Sequence, residues 1–232
     1  VVGARTNEVA QSVMDLYAKV DCPKVLTSQP AAELIKYASN SFLAIKLSFV
    51  NDVAALCEAA GADPREVMHG MGLDTRIGNR FLEPGPGWGG SCFPKDTKAL
   101  ESIANSFGVE LPLITTAIAS NESAHKRVAE RVANALGGSL TGKTVAVLGL
   151  TFKANTDDTR ESPAIAVIEQ LVSWMNEHAA AFRFEEAQEI KTSIELLKKH
   201  QVKSTIVSPT IHQVDVLTAI EDDATVFINY LI

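Results

Sequence analysis

Apolar residues recur at intervals of three and four along much of this chain, and the longest such stretch predicts a helix over residues 31–60. Leu34, Ala38, Phe42, Ile45, Phe49, Val53 and Leu56 fall on one face of it. Gly61 is a good terminator. Lys36 and Asn40 are four apart and point together, off that stripe. On spacing alone they suit two solvated polar residues. Asp63-Pro64-Arg65-Glu66 has the residues of a second helix start: an Asp cap, Pro in the first turn and Glu at the third position. That helix is short and ends near Gly72. Further helices are expected over Thr97–Phe107 and from Pro112 to Leu136, the latter closed by Gly137-Gly138. Two segments read as β-strand instead: Val1-Val2 with Val25-Leu26, flanking a helix capped by Thr6 and running to about Lys19, and the apolar run Lys143–Gly149. Ser162-Pro163 opens another helix, with Ile165, Ile168 and Leu171 facing inward.

These elements predict a mostly α central domain over 29–138. The tail of an earlier βαβ unit precedes it (1–28), and a strand and a helix follow (139–172). The 46% hydrophobic content supports a packed core. The apolar runs are too short to cross a bilayer, and the net charge of −7 disfavours nonspecific nucleic-acid binding. Three widely spaced cysteines, Cys22, Cys57 and Cys92, fit a reducing compartment, and with the five histidines they form no metal-ligand pattern. The expected location is cytoplasmic. Val1 is not an initiator Met, so the chain reads as a fragment, expected not to turn over alone.

The chemistry centres on Gly85-Pro86-Gly87-Trp88-Gly89-Gly90-Ser91-Cys92-Phe93-Pro94-Lys95-Asp96. Four glycines permit positive φ and close approach of a ligand to the backbone. Cys92 supplies a thiol nucleophile. Lys95 supplies a cation able to favour the thiolate, and Asp96 a carboxylate able to orient water or take a proton. The same residues also suit a surface turn with a buried, inert cysteine.

Gly-Gly-Ser-Cys-Phe-Pro-Lys-Asp resembles the catalytic-cysteine motif of the nucleotide-sugar dehydrogenases, the UDP-glucose 6-dehydrogenases most closely. Val1–Gly3, Ala32–Asn40, Arg76–Leu82, Gly149–Lys153 and Asp157–Pro163 match that family in order. The resemblance covers roughly residues 1–172. It implies a central domain like the C-terminal domain of 6-phosphogluconate dehydrogenase, then, over 139–172, the start of a Rossmann-like α/β domain that binds UDP. It also implies NAD as cofactor and a homodimer formed through the 31–60 helix. By the resemblance, Cys92 is the nucleophile, Lys36 stabilises developing negative charge, and Asn40 and Asp96 position water. Substrate would be held by Lys36, Asn40, Arg76, Glu83, Pro84, Gly85, Pro86, Gly87, Trp88, Gly89, Phe152 and Lys153. The cofactor would meet Cys92, Lys95 and Arg160. The sequence is read as carrying no Gly-x-Gly-x-x-Gly fingerprint of a dinucleotide fold anywhere, so the rest of the NAD-binding domain is not expected in this chain. GDP-mannose or another nucleotide sugar is the alternative substrate.

After about Val172 that pattern is lost. Asn176–Lys191 resembles the UVR helical hairpin of the excision-repair nuclease subunit UvrC, running to about His200. Lys203–Pro209 and Val214–Leu217 resemble the strands that follow it. The resemblance implies a tail over 173–232 of a helical hairpin plus short strands, and a UvrB-like partner for it. A noncatalytic binding module is the alternative function from another class.

Overall fold

The computed structural model describes residues 1–138, 140, 143, 145–180, 216–222 and 225–231. A two-residue strand β1 (Val2–Gly3) pairs in parallel with β2 (Leu26–Thr27), and helix α1 (Asn7–Asp15) lies between them. The Thr6 side chain accepts from the Val9 amide as the N-cap, as its sequence position predicts. This helix is four residues shorter than expected; residues 16–19 continue as turns.

Helix α2 (Gln29–Ala60) is the axis of the molecule. Ser28 caps its start, and Gly61, at φ 72°, caps its end in the left-handed conformation that glycine adopts without penalty. α2 packs against α4 (Phe93–Ser106) and α5 (Pro112–Ala135), with α3 (Pro64–Gly72) against its other flank. The face that makes the intramolecular contacts is not the large apolar stripe. It is a row of small and polar residues: Ser41, Ala44, Ser48, Asn51 and Ala54, all buried. Small side chains let helix backbones approach closely; Ala104, Ala117 and Ala124 do the same from α4 and α5. Leu34, Phe42, Phe49 and Leu56 are instead exposed, Phe42 and Leu56 at 66%. A compact apolar cluster of Val50, Met68 and Leu82, flanked by Val53 and Met71, ties α3 and the segment after it to α2.

α4 begins four residues earlier than its sequence suggests. Pro94 lies in the first turn, where its missing N–H costs nothing, and the Asp96 amide donates to the Cys92 carbonyl at 2.8 Å. The motif cysteine therefore occupies the N-cap position of a helix.

The strand expected over Lys143–Gly149 is not seen in its described residues. Residues 145–150 take no regular structure, and among the described residues no neighbouring strand offers it hydrogen bonds. An apolar run becomes a strand only where a ladder partner lies beside it, and none of the described residues supplies one to 145–149. Helix α6 (Pro163–Ala180) packs on α5, with Val167 and Leu171 buried against Ala129 and with Val128, Leu140 and Trp174 around them. Ile165 and Ile168 are half-buried. α6 passes through residue 172 unbroken, so the change of sequence pattern there does not coincide with the end of an element. Most of the UvrC-like stretch, 181–215, lies outside the described residues. Beyond it, β3 (Val216–Asp222) and β4 (Thr225–Leu231) form an antiparallel pair in register Val216 with Leu231 through Asp222 with Thr225.

Candidate active site

α2 and α4 cross where Lys36 and Asn40 meet Asp96. The Asn40 Nδ2 donates to Asp96 Oδ2 at 2.6 Å, and the Lys36 Nζ lies 3.2 Å from the same oxygen. Lys95 Nζ stands 3.7 Å from Oδ1. The Asp96 side chain is only 3% exposed. Burial pushes its carboxyl upward, but the hydrogen bonds from Lys36 and Asn40, with the charges of Lys36 and Lys95, outweigh it. The net effect holds Asp96 below the ordinary carboxylate range. Asp96 is thus a fixed anion and a weak proton acceptor. Its clearest work is to orient Lys36 and Asn40, which sequence alone left as two polar residues on one face.

Cys92 is exposed at the head of α4, which removes the reading of a buried, inert thiol. The Ser91 Oγ lies 3.8 Å from its Sγ. Arg160 reaches towards it from the segment before α6. The Arg160 guanidinium is held above its usual range by its hydrogen bond and charge pairing with Asp158. Burial opposes this, and the charge on Cys92 adds a smaller upward push. Asp158 is correspondingly lowered to about 2 by its bonds to Arg160, with little opposition from burial.

The glycine-rich loop connects α3 to this helix. Gly85, Gly87 and Gly90 happen to carry the Gly-x-Gly-x-x-Gly spacing, but they follow no strand, so the spacing has none of the context of a dinucleotide fold. Three residues that the sequence did not single out hold the loop. The Asn51 Oδ1 accepts from the Gly85 amide at 2.8 Å. Asn121 pairs twice with the backbone of Trp88, accepting from its N–H at 2.7 Å and donating to its carbonyl at 2.9 Å. The Trp88 indole donates to Ser48 Oγ at 2.9 Å, and Ser48 passes a bond on to the Ala117 carbonyl. Trp88 is buried, with its side chain and both backbone groups occupied. It anchors the loop, with its N–H, its carbonyl and its indole N–H each in a hydrogen bond. No motif marked Ser48, Asn51 or Asn121. The only available signal was that each interrupts an otherwise apolar helical row.

Gly87 has φ 138°, and a Cβ there would lie 2.5 Å from His125 Nε2. That imidazole nitrogen is buried without a partner, and burial lowers the His125 pKa against the opposing pull of Glu122. On the opposite side the 149–162 segment closes on the loop. The Gly90 amide donates to the Glu161 carbonyl at 3.2 Å, and a Cβ at Gly89 would fall 1.8 Å from that oxygen. Phe152 lies flush on Gly90, where a Cβ would meet its ring at 2.5 Å. Phe152 thus packs on the loop, with Lys153 Nζ 5.2 Å from its ring centroid.

Arg76 stands apart. Its guanidinium pairs with Asp74, with Nη2 at 2.6 Å from Oδ2, and its side chain is 87% exposed. None of its hydrogen bonds reaches the Cys92 cluster. Glu83 and Gly85 are exposed and Pro84 and Pro86 half-buried, along the loop's approach.

Residues 30–123 match the UDP-glucose/GDP-mannose dehydrogenase family, central domain, and residues 146–225 match the UDP binding domain of the same family. The chain belongs to the UDP-glucose/GDP-mannose dehydrogenase family. The second match extends well past residue 172, where the sequence pattern had been expected to stop. The UDP-glucose 6-dehydrogenase of Rhizobium meliloti is 48% identical over 167 residues, 72% of this chain and 38% of that protein. The enzyme TuaD of Bacillus subtilis, of the same name, is 45% identical over 171 residues, 74% of this chain and 37% of its own length. Among solved structures, the UDP-glucose dehydrogenase of Pyrobaculum islandicum aligns with a TM-score of 0.69 at 43% identity, covering 74% of this chain and 39% of that one. The chain therefore spans about two fifths of the length of these relatives. Among the described residues, no helix is long and apolar enough to cross a membrane.

Proposed function

We propose that this chain carries the nucleophile-bearing part of an NAD-dependent UDP-glucose 6-dehydrogenase. The single observation that carries the reading is the convergence of Lys36, Asn40 and Asp96 beside an exposed Cys92 at the head of α4. The two relatives above, at 45–48% identity, support UDP-glucose as the substrate in preference to GDP-mannose.

The site residues fit a nicotinamide dinucleotide: Lys95 and Arg160, both exposed, place two cations on the Cys92 side, suited to a pyrophosphate. When bound, NAD accepts hydride. The reaction divides into two oxidations. The C6 alcohol loses a proton and a hydride to become an aldehyde. The Cys92 thiolate then adds to the aldehyde carbon, and the resulting thiohemiacetal loses a second hydride and a proton to give a thioester. Water displaces the thiol and releases the acid, with two equivalents of NAD reduced in all. A cysteine suits this sequence because sulfur converts an aldehyde into a hydride donor and holds it covalently between steps. Lys36, kept in place by Asp96, faces the negative charge that develops on the sugar oxygen. Asn40, tethered to the same carboxylate, orients the hydrolytic water. Arg76, anchored by Asp74 with its guanidinium outward, and the exposed Lys153 are available to the diphosphate.

The exposed Leu34, Phe42, Phe49 and Leu56 recur at seven and eight residues along α2. Such a stripe is an interaction surface rather than a solvent face, and a second copy of α2 is the occupant that would make a homodimer. The UvrB-like partner and the noncatalytic function have no observation behind them beyond the tail's resemblance.

The experiment is calorimetric titration of the chain with UDP-glucose, GDP-mannose and UDP. UDP-glucose is expected to bind at least tenfold more tightly than GDP-mannose; equal binding, or none, rejects the substrate assignment.

A further inference from the structure

We propose that Asn121 is a positioning residue of the active site: its paired hydrogen bonds to Trp88 fix the glycine-rich loop, and through it the placement of Cys92. The proposal rests on the reading of Cys92 as nucleophile. Asn121 lies on α5, 33 residues from the loop, and contributes no group to the Lys36–Asn40–Asp96 cluster. What it offers is a side-chain amide that imitates a strand neighbour. Its Oδ1 takes the Trp88 N–H and its Nδ2 serves the Trp88 carbonyl, at 2.7 and 2.9 Å, with both residues less than a tenth exposed. A buried peptide group without partners is costly, so a loop lacking a ladder needs such a substitute.

The position of this clamp matters more than its strength. Gly85 is held by Asn51, and the Trp88 indole by Ser48. Between these points Gly87, in a conformation closed to other residues, lets the chain turn against His125. Only three residues separate Trp88 from Cys92, and two of them, Gly89 and Gly90, have no side chain to define their course. With Trp88 free, the approach to Cys92 would be left to the Gly90–Glu161 bond and the packing of Phe152 on Gly90. The sequence alternates permissive glycine with one rigid anchor, and Asn121 is what makes the anchor rigid.

The test uses the 232-residue chain and the variants Asn121→Leu, Asn121→Asp and Val167→Ala, the last a core change on α6 that leaves the loop untouched. Hydrogen exchange is read on peptides spanning residues 82–92. Alkylation of Cys92 by iodoacetamide is followed by mass spectrometry over a UDP-glucose titration, with exposed Cys22 as internal reference. In Asn121→Leu the loop is expected to exchange at least tenfold faster, and half-protection of Cys92 to need at least fivefold more UDP-glucose. Val167→Ala should stay within twofold on both. Asn121→Asp keeps the acceptor for the Trp88 N–H but loses the donor. A buried carboxyl titrates high, so this variant should resemble Asn121→Leu at pH 8 and recover towards the unsubstituted chain at pH 5, where the protonated acid can donate to Trp88. A merely structural role would not produce that recovery. Loop exchange within twofold of the unsubstituted chain in Asn121→Leu, or a Val167→Ala that reproduces its effects, would overturn the proposal. If UDP-glucose fails to protect Cys92 in the unsubstituted chain, the substrate reading fails. The loop exchange and the Cys92-to-Cys22 alkylation ratio then decide on Asn121 alone, an unchanged ratio counting against it.

Discussion

Replacing Asp96 by Asn removes one charge from the interior and leaves the shape unchanged. In the native arrangement the carboxylate accepts from Asn40 at 2.6 Å and faces Lys36 at 3.2 Å, with Lys95 on its other oxygen. Lys36 and Lys95 are 59% and 74% exposed, so water screens their share, and together they are worth about 1 kcal/mol or less. The buried, charge-assisted bond from Asn40 is worth about 1.5–3 kcal/mol, part of which the neutral amide retains. An acidic residue in the first turn of α4 adds about 0.3–1 kcal/mol with the helix dipole. The net loss at neutral pH is about 2 kcal/mol, equivalent to a fall in Tm of roughly 4–8 °C for a chain of this size. The sign with pH follows from the lowered carboxyl. Its folded pKa lies below the ordinary value of 3.8, so the contribution is fully present above 3.8 and disappears as pH falls through the folded value. Thermal unfolding followed by circular dichroism should therefore show the two proteins separated at pH 7 and converging as pH falls below 3.8. A Tm difference below about 1 °C at pH 7, or one that does not shrink as pH is lowered below 3.8, would refute the view that Asp96 is held as a stabilised anion.

Three further outcomes are expected. Gly89→Ala puts a Cβ 1.8 Å from the Glu161 carbonyl, so it should lower stability by about 1–3 kcal/mol in denaturant titrations and accelerate exchange in the 149–162 segment; full stability would show that the segment does not close on the loop. Phe42→Asp, at a side chain 66% exposed, should leave circular dichroism unchanged while shifting sedimentation from dimer to monomer, and a dimer of undiminished affinity would reject α2 as the interface. Arg160→Ala removes the two side-chain bonds to Asp158, at 2.8 and 2.7 Å, and should accelerate exchange in the 149–162 segment, and unchanged exchange would show that this pair does not hold the segment.

Much of the helical frame was legible because its signals are local. Thr6, Asp63-Pro64, Gly61 and Gly137-Gly138 mark ends that the backbone respects. The inward face of α2 was not legible in the same way. Periodicity finds large apolar residues, whereas α4 and α5 pack on serine, alanine and asparagine, and the large stripe is left exposed. The strand expected over Lys143–Gly149 is absent from its described residues for a related reason: hydrophobicity is written in the segment, but the hydrogen-bonding partner is not. The site shows the same division. Cys92, Lys95 and Asp96 are contiguous and readable, and Lys36 with Asn40 could be placed on one helix face. Their convergence on Asp96 spans 56 residues and exists only in the fold. Asn121 and Ser48 had only a weak signal, since a buried asparagine or serine looks in sequence like any interruption of an apolar row.

The most direct measurement is single-turnover product analysis of Cys92→Ser in a protein extended to the length of its relatives, with UDP-glucose and NAD supplied. A serine hydroxyl is a far weaker nucleophile near neutral pH. The account predicts that Cys92→Ser binds UDP-glucose within a few-fold of the unsubstituted enzyme but forms the acid at least about a thousandfold more slowly. Acid formation at a rate near that of the unsubstituted enzyme would contradict the assignment of Cys92 as the covalent nucleophile.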